Sequence, residues 1–346
     1  MAIKYYDGTK ILSMKDLNGK EPEIYIVTAN NCAGKTTFFN RYVVNRFKKY
    51  GEKFMLLYRF EYELDNVHEK FFGEIQQLFF KNDEMSSKKR MEGKFRELFL
   101  NDIPCGYAIS LNAADQIKKN SHLFNDTVRM IFDEFQSQTN HYCPNEILKF
   151  RTVHVAVARG QGKQQKYLPV IMIGNNITTL NPYYTVFGIT QRLQPDTKFL
   201  RGNGYVLEQG YNESAAKAQA ESGFNAAFGD DQMNSFIRGQ GYLSDSNTFI
   251  EKMSGENNYL ATIKYNGKEY AIREYQDKGI VYCATNVDKT FKFKIALTTE
   301  DHNINFVMLK RNELFLQSLR WFFEHGCFRF ENLQSKEVII NLLSYK

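Results

Sequence analysis

The chain has 346 residues, 43% hydrophobic and 24% charged, a composition that excludes a disordered polyelectrolyte and, lacking any run of about 18 uninterrupted apolar residues, a membrane-spanning helix. Single hydrophobic cores stop growing near about 250–300 residues, so two folded domains are expected. The net charge of +6 suits a polyanionic partner without requiring one, and five cysteines scattered with no CxxC argue against a zinc ribbon or disulfide framework and for a reducing cytoplasm.

The opening segment MAIKYYDGTK lacks the apolar stretch of a secretory signal, so neither export nor membrane insertion is expected. From Glu23 to Thr28, EIYIVT is short, β-branched and apolar and predicts a buried strand. A loop follows, and then KTTFFNRYVVNRFKKYG places Phe38, Phe39, Tyr42, Val43 and Phe47 at helical spacing before stopping at Gly51. Strand, loop, helix is the setting of a phosphate-binding P-loop. In ANNCAGKTT, Gly34, Lys35 and Thr36 match the end of G-x-x-x-x-G-K-[ST], while Ala29 replaces the first glycine. Asn30, Asn31, Cys32 and Ala33 form the body of the loop, whose inward N–H groups, with those of Gly34 to Thr37, cradle phosphates at the helix N-terminus. Alanine serves at the first position as long as its φ stays negative. Lys35 is expected on the β- and γ-phosphates of ATP, and Thr36 on Mg²⁺.

KFMLLY, Lys53 to Tyr58, predicts a second strand, and Arg59 beyond it is either a phosphate-side cation or a partner for Glu61 or Glu63. A charged helix follows in DNVHEKFFGEIQQLFF, then two strands around the turn Asn101-Asp102-Ile103-Pro104. VRMIFDEF, Val128 to Phe135, predicts a buried strand ending in two acids, a Walker B pattern: Asp133 for the Mg²⁺ shell and Glu134 to polarise the attacking water. A glutamate beside that aspartate marks the motor-like (ASCE-type) branch of P-loop proteins. Pro144 to Ala158 predicts a helix, and Arg159 in the loop after it is the candidate arginine finger, acting in trans on a neighbouring subunit and worth roughly 10³–10⁵ in rate. The strand PVIMI, Pro169 to Ile173, leads to Asn175, placed as a polar sensor. Alternating strands and helices predict an α/β fold with a mostly parallel sheet and ligands at the strands' carboxyl ends.

Past about Gln191 the Ala-, Gly- and Asn-rich composition reads as a connector with one helix. Then YLATIKY, KEYAIREY and GIVYCAT, joined by Asn266-Gly267 and Asp277-Lys278-Gly279, predict an antiparallel meander. A helix over Phe306 to His325 and an amphipathic piece near Val338 complete a small C-terminal α+β domain. The predicted division is an ATPase domain over 1–190, a connector over 191–250 and a second domain over 251–346.

These residues resemble the DNA-packaging ATPases of small tailed phages of the φ29 type. The likeness runs through NRFKKYGEKF after the P-loop, IFDEF followed by PNE at Pro144 to Glu146, the GNN-to-NPYY stretch ending at Tyr184, FIEK at Phe249 to Lys252, YNG at Tyr265 to Gly267 and LTTED at Leu297 to Asp301. The resemblance implies a homomeric ring, a pentamer, in the host cytoplasm and transiently at the portal vertex of an empty procapsid, driving double-stranded DNA inward with ATP; a packaging RNA is a further implied partner. It also implies an RNase H-like C-terminal domain. A two-metal nuclease needs a carboxylate on the first strand of the meander. YLATIKY has none, and Glu300 and Asp301 lack that partner, so a vestigial nuclease that does not cut is expected. Asn31 stands where terminases often carry arginine, which shifts the catalytic charge to Arg159. Lys118 and Lys119 are candidates for the DNA track, with Lys88, Lys89 and Arg90 a second basic cluster, binding phosphates without reading sequence. Tyr5 and Tyr6 are candidates for the adenine pocket. Two other readings stay open: a helicase-like nucleic-acid remodelling ATPase, disfavoured by the lack of helicase motifs, and a nucleotide-gated DNA- or portal-binding scaffold, disfavoured by Glu134.

Overall fold

The computed structural model describes residues 5–138, 141–159, 164–179, 181–190, 192–193, 197–227, 249–310 and 313–344, and the chain divides into two compact units, Met1–Ser244 and Asp245–Lys346. In chain order the first unit contains α1 (Thr9–Leu12), β1 (Ile24–Ala29), α2 (Lys35–Tyr50), β2 (Lys53–Tyr58), α3 (Val67–Phe79), β3 (Met85–Arg90), β4 (Phe95–Leu100) and β5 (Ile103–Ser110). It continues with α4 (Ala114–Lys119), β6 (Thr127–Phe132), α5 (Glu146–Val157), β7 (Val170–Asn175), α6 (Pro182–Val186), β8 (Phe199–Arg201), β9 (Tyr205–Gln209), α7 (Glu213–Ala220) and α8 (Gly223–Ala226).

Its nine strands form one sheet in the order β3-β4-β5-β2-β6-β7-β1-β9-β8. The strands from β5 to β9 in that order run parallel, and antiparallel pairs close both edges. The apolar runs Phe54 to Leu57 in β2 and Met130 to Phe132 in β6 are unbroken because both faces of the sheet are covered there. Met55 and Leu57 pack on one face with Phe132, Phe150 and Val153, and Phe54 and Leu56 pack on the other with Phe39, Val43, Phe72 and Ile75. The predicted strand over Val128–Phe135 stops at Phe132, so the two acids stand in the loop beyond it. The predicted hairpin forms as β4 and β5 and gains β3, whose sequence MSSKKR carries little apolar signal because an edge strand faces water.

The boundary at 190 does not match the sheet. Residues expected in a connector supply β8 and β9, and β9 pairs in parallel with β1 from Ile24↔Tyr205 to Thr28↔Gln209. The short run Tyr205-Val206-Leu207 is buried in the two layers that cover the sheet, a tertiary cause that composition does not carry. The expected helix in the connector forms as α7.

In the second unit, β10 (Asn258–Tyr265), β11 (Lys268–Tyr275), β12 (Ile280–Ala284), β13 (Lys294–Ala296), α9 (Leu314–Glu324), β14 (Phe328–Phe330) and α10 (Leu333–Ser344) follow in turn. The meander β10-β11-β12 is antiparallel, and β13 and β14 join its two sides in parallel, giving the order β13-β10-β11-β12-β14. Ala261, Ile263, Ile272 and Val281 pack against Leu316, Leu319, Val338 and Ile339. The helix predicted over Phe306–His325 is shorter. The side chain of Asn303 accepts from the amides of Asn305 and Phe306 and holds a turn there, and Val307 bridges to Ile295, so helix begins at Leu314. Among the described residues no helix is long and apolar enough to cross a membrane.

Candidate functional site

β1 lies between β7 and β9 in the sheet, and the loop at its carboxyl end leads directly into α2. Gly34 caps α2 at φ +89°, a conformation that strains any other residue, and a Cβ there would crowd the Tyr5 ring at 3.2 Å. Cys32 also takes a positive φ, +59°, whereas Ala29 is not among the positive-φ residues and closes β1 opposite Asn175 of β7. The missing first glycine thus falls where a side chain is tolerated.

Lys35 is buried, and its Nζ donates to Ala29 O at 3.2 Å, Asn30 O at 3.0 Å and Asn175 Oδ1 at 3.0 Å. Burial lowers its pKa to about 8, against the pull of the nearby Asp133. Thr36 hydrogen-bonds the Asp133 carboxylate, which burial raises to about 6. Glu134 is exposed beside it at φ +54°, its own N–H donating to Asp133 Oδ1 at 2.9 Å. Lys35, Thr36, Asp133 and Asn175 therefore converge at the carboxyl ends of β1, β6 and β7, with Glu134 at the margin. Thr37 does not join them: its hydroxyl donates to Glu74 on α3 at 3.0 Å.

Arg59 is a correction. It is buried, and it turns neither to the phosphate loop nor to Glu61 or Glu63. Its Nε donates to Glu146 Oε2 at 2.8 Å and its Nη2 to Phe135 O at 2.9 Å. Glu61 pairs instead with Lys94, and Glu63 accepts from the Phe60 amide. A buried guanidinium needs a buried carboxylate, and the first residue of α5 supplies it. Arg159 is exposed just beyond α5. There Lys166 N donates to Ala158 O, and Lys166 Nζ donates to Asn125 O and Thr127 O at the start of β6. This is the amino end of the parallel strands, opposite the loop after β1, so Arg159 does not reach the loop of its own chain. Lys118 and Lys119 are exposed in the last turn of α4, and Lys88 and Lys89 are exposed on β3 with Arg90 bound to Glu97. Tyr6 is committed to packing: its hydroxyl donates to Glu208, its amide donates to Ala33 O, and its ring contacts Phe38 and Phe39. Tyr5 stays exposed over Gly34.

Two residues escaped the sequence reading. Asn212 grips the loop, its amide donating to Asn30 Oδ1 at 2.9 Å and its carbonyl accepting from Asn30 Nδ2 at 3.1 Å, while its side chain caps α7 through Ala215 N at 3.0 Å. An asparagine just before a helical run is a cap signal; nothing in the sequence pairs it with the P-loop. Gln136 Oε1 accepts from the amides of Ile177 and Thr178, tying the loop after β6 to the loop after β7.

The site fits a metal-bound polyphosphate. One carboxylate and one hydroxyl, Asp133 and Thr36, are the sparse oxygen set that Mg²⁺ accepts when phosphates complete its shell.

A family model described as "Podovirus DNA encapsidation protein (Gp16)" matches residues 3–346. The chain is 26% identical over 345 residues to the DNA packaging protein of Bacillus phage phi29, covering 98% of this chain and 96% of that one, and the packaging protein of Bacillus phage PZA matches to the same extent. Among solved structures, a chain of the bacteriophage Phi-29 viral genome packaging motor assembly aligns at a TM-score of 0.72 and 24% identity, covering 98% of this chain and 99% of that chain. The Phi-28 gp11 DNA packaging motor aligns at a TM-score of 0.60 and 15% identity, covering 100% and 99%. These two likenesses are of fold.

Proposed function

Because the chain belongs to the family of podovirus DNA encapsidation proteins, we propose that it packages double-stranded DNA into a preformed procapsid as an ATP-driven ring translocase, with Lys35, Thr36, Asp133, Glu134 and Asn175 as its hydrolytic site. The observation that carries the reading is the junction of Lys35 Nζ with Asn175 Oδ1 and of Thr36 with Asp133, which brings the carboxyl ends of three strands together. Loop amides and the α2 N-terminus hold the β- and γ-phosphates. Lys35 exchanges its three oxygen partners for phosphate, and Asn175 passes from the lysine to the attacking water or the γ-phosphate. Thr36 and Asp133 would hold Mg²⁺, which would neutralise negative charge on the phosphates. Glu134 orients water for in-line attack: a bond from the water oxygen to the γ-phosphorus forms as the bond from that phosphorus to the oxygen retained by ADP breaks, and the water proton leaves through Glu134 to the phosphate product or solvent.

The loop holds no arginine, so transition-state charge falls to Arg159 of a neighbouring subunit, consistent with its exposed place away from its own loop. The homomeric ring, its pentameric order, the portal and packaging-RNA contacts and the host-cytoplasmic setting belong to the same proposal, as does a DNA track through Lys118 and Lys119. The second unit is an RNase H-like domain without cleavage. Asp301, one of its remaining acids, is buried and spent on structure, accepting from Gly267 N at 2.9 Å and Thr298 Oγ1 at 2.7 Å.

ATPase rates with and without duplex DNA, in wild type and Glu134→Gln, test the reading. Duplex should stimulate wild type, and Glu134→Gln should bind ATP yet lose about 10²-fold or more in turnover. Little turnover in either form would leave a nucleotide-gated scaffold instead.

A further inference from the structure

We propose that Arg59 and Glu146 form a buried positioning pair that sets the backbone of the hydrolytic loop and so the aim of Glu134. The inference rests on the ATPase reading above. Glu134 occupies the left-handed region, φ +54°, where a residue other than glycine persists only when its surroundings over-determine it. Its own carboxylate contributes nothing to that restraint among the described contacts; the restraint reaches it through the main chain.

Arg59 stands one residue past β2, the strand beside β6, and Glu146 opens α5 at the far end of the loop that follows β6. The guanidinium donates from Nη1 to Glu134 O at 3.3 Å, from Nη2 to Phe135 O at 2.9 Å and from Nε to Glu146 Oε2 at 2.8 Å. The carboxylate is held in turn, Oε2 accepting from Cys143 N at 2.9 Å and Oε1 from Tyr183 Oη at 2.8 Å. Arg59 is 7% exposed, Glu146 4% and Tyr183 0%. The guanidinium also lies 5.0 Å from the Tyr142 ring centroid.

A buried ion pair is weak evidence for stability, because an apolar pair of similar volume often does as well. An apolar pair cannot hold two successive carbonyls. The planar fork of arginine can, and the point charge of lysine cannot hold both while keeping Glu146. None of these groups touches Lys35, Thr36 or Asn175 in the described contacts. Loss of the pair should therefore act on the hydrolytic step and not on the capture of ATP, as Asp133 stays in place at the end of its strand while Glu134 drifts.

The test uses the full chain with Arg59→Lys and Tyr183→Phe, and Arg96→Lys as a matched control. Arg96 is likewise buried, 5% exposed, and bound to Asp65 and the Leu64 carbonyl, with no hydrogen bond to the hydrolytic loop among the described contacts. Affinity for a fluorescent ATP analogue, single-turnover hydrolysis and melting temperature are measured for each. Arg59→Lys should hydrolyse ATP about 10–100-fold more slowly with affinity unchanged. Tyr183→Phe, which removes one hydroxyl, should show a smaller fall in the same direction. Arg96→Lys should lower the melting temperature without slowing hydrolysis. Wild-type hydrolysis in Arg59→Lys, or a loss matched by Arg96→Lys, would overturn the assignment; if Arg59→Lys does not fold, unchanged hydrolysis in Tyr183→Phe overturns it. A chain that loses turnover in Glu134→Gln but keeps it in Arg59→Lys sinks only this proposal, whereas a wild type that binds ATP and never hydrolyses it sinks the ATPase reading first.

Discussion

At the scale of single residues, the site is set by burial acting in opposite directions on two neighbours. Burial pushes Asp133 up to about 6 and Lys35 down to about 8, so each gives up charge more readily than it would in water. Metal binding needs the ionised carboxylate, and phosphate binding needs the ammonium. The profile of kcat/KM, which reports the nucleotide-free enzyme, should therefore rise through about pH 6 and fall above about pH 8. A plateau extending unbroken to pH 10 would remove Lys35 from its role. The same shift has a cost in stability with a definite sign. The folded Asp133 holds its proton to a higher pH than the unfolded one, so stability declines as pH rises from the ordinary carboxylate range towards 6. In the absence of Mg²⁺, Asp133→Asn should melt a few degrees higher than wild type at pH 8 and at the same temperature at pH 4, while losing ATPase; differential scanning calorimetry checks it.

At the scale of elements, the phosphate loop is clamped by a segment nearly the whole first unit away in sequence. Asn212 bonds Asn30 through both backbone groups, and its amide side chain reaches Ala33 O at 3.3 Å while capping α7. Replacing a cap asparagine by alanine costs about 0.5–2 kcal/mol. The backbone bonds to Asn30 survive Asn212→Ala, so that variant should lower stability by about 1 kcal/mol and weaken ATP only slightly. Asn30→Ala removes the loop's side of the clamp and should weaken ATP more. Calorimetric titration of both variants would decide, and the reverse order would mean that α7, not the clamp, holds the loop. The elements themselves were legible where local pattern was strong: β1, α2, β2 and β7 follow from short apolar runs and helical spacing. β3 and β9 were not, because one faces water at an edge and the other is apolar over only a few residues.

At the scale of the whole molecule, the two units have separate cores, one pair of layers around the large sheet and one around β10, β11 and β12. A cavity in one core should stay local. Ile339→Ala, at a position 0% exposed in the second unit, should cost that unit about 2–5 kcal/mol. ATP affinity should be untouched, and chemical denaturation should separate into two steps; a single transition with weakened ATP would mean that the units unfold as one. Arg159 also belongs to this scale. If it acts on a neighbour, inactive Arg159→Ala chains mixed with inactive Glu134→Gln chains should recover some ATPase, since some interfaces then pair an intact Arg159 with an intact Glu134. Absence of recovery at every mixing ratio would end that assignment.

By itself the sequence determined the strand, loop and helix around Gly34 and Lys35, the acid pair after β6, and the alternation of strands and helices, because these depend on local features: a glycine at φ +89°, a lysine at a helix start, apolar runs of strand length. It also carried the family resemblance, which the match over residues 3–346 bears out. Only the tertiary structure decided where the charges and polar side chains spend themselves. Arg59 was legible as a cation but not as the brace of Glu134, since its partner Glu146 is 87 residues away in the chain. Residues 199–209 looked like a connector until β9 paired with β1. Hydrogen bonds and buried ion pairs are satisfied by whatever the fold brings near, and sequence distance does not record that.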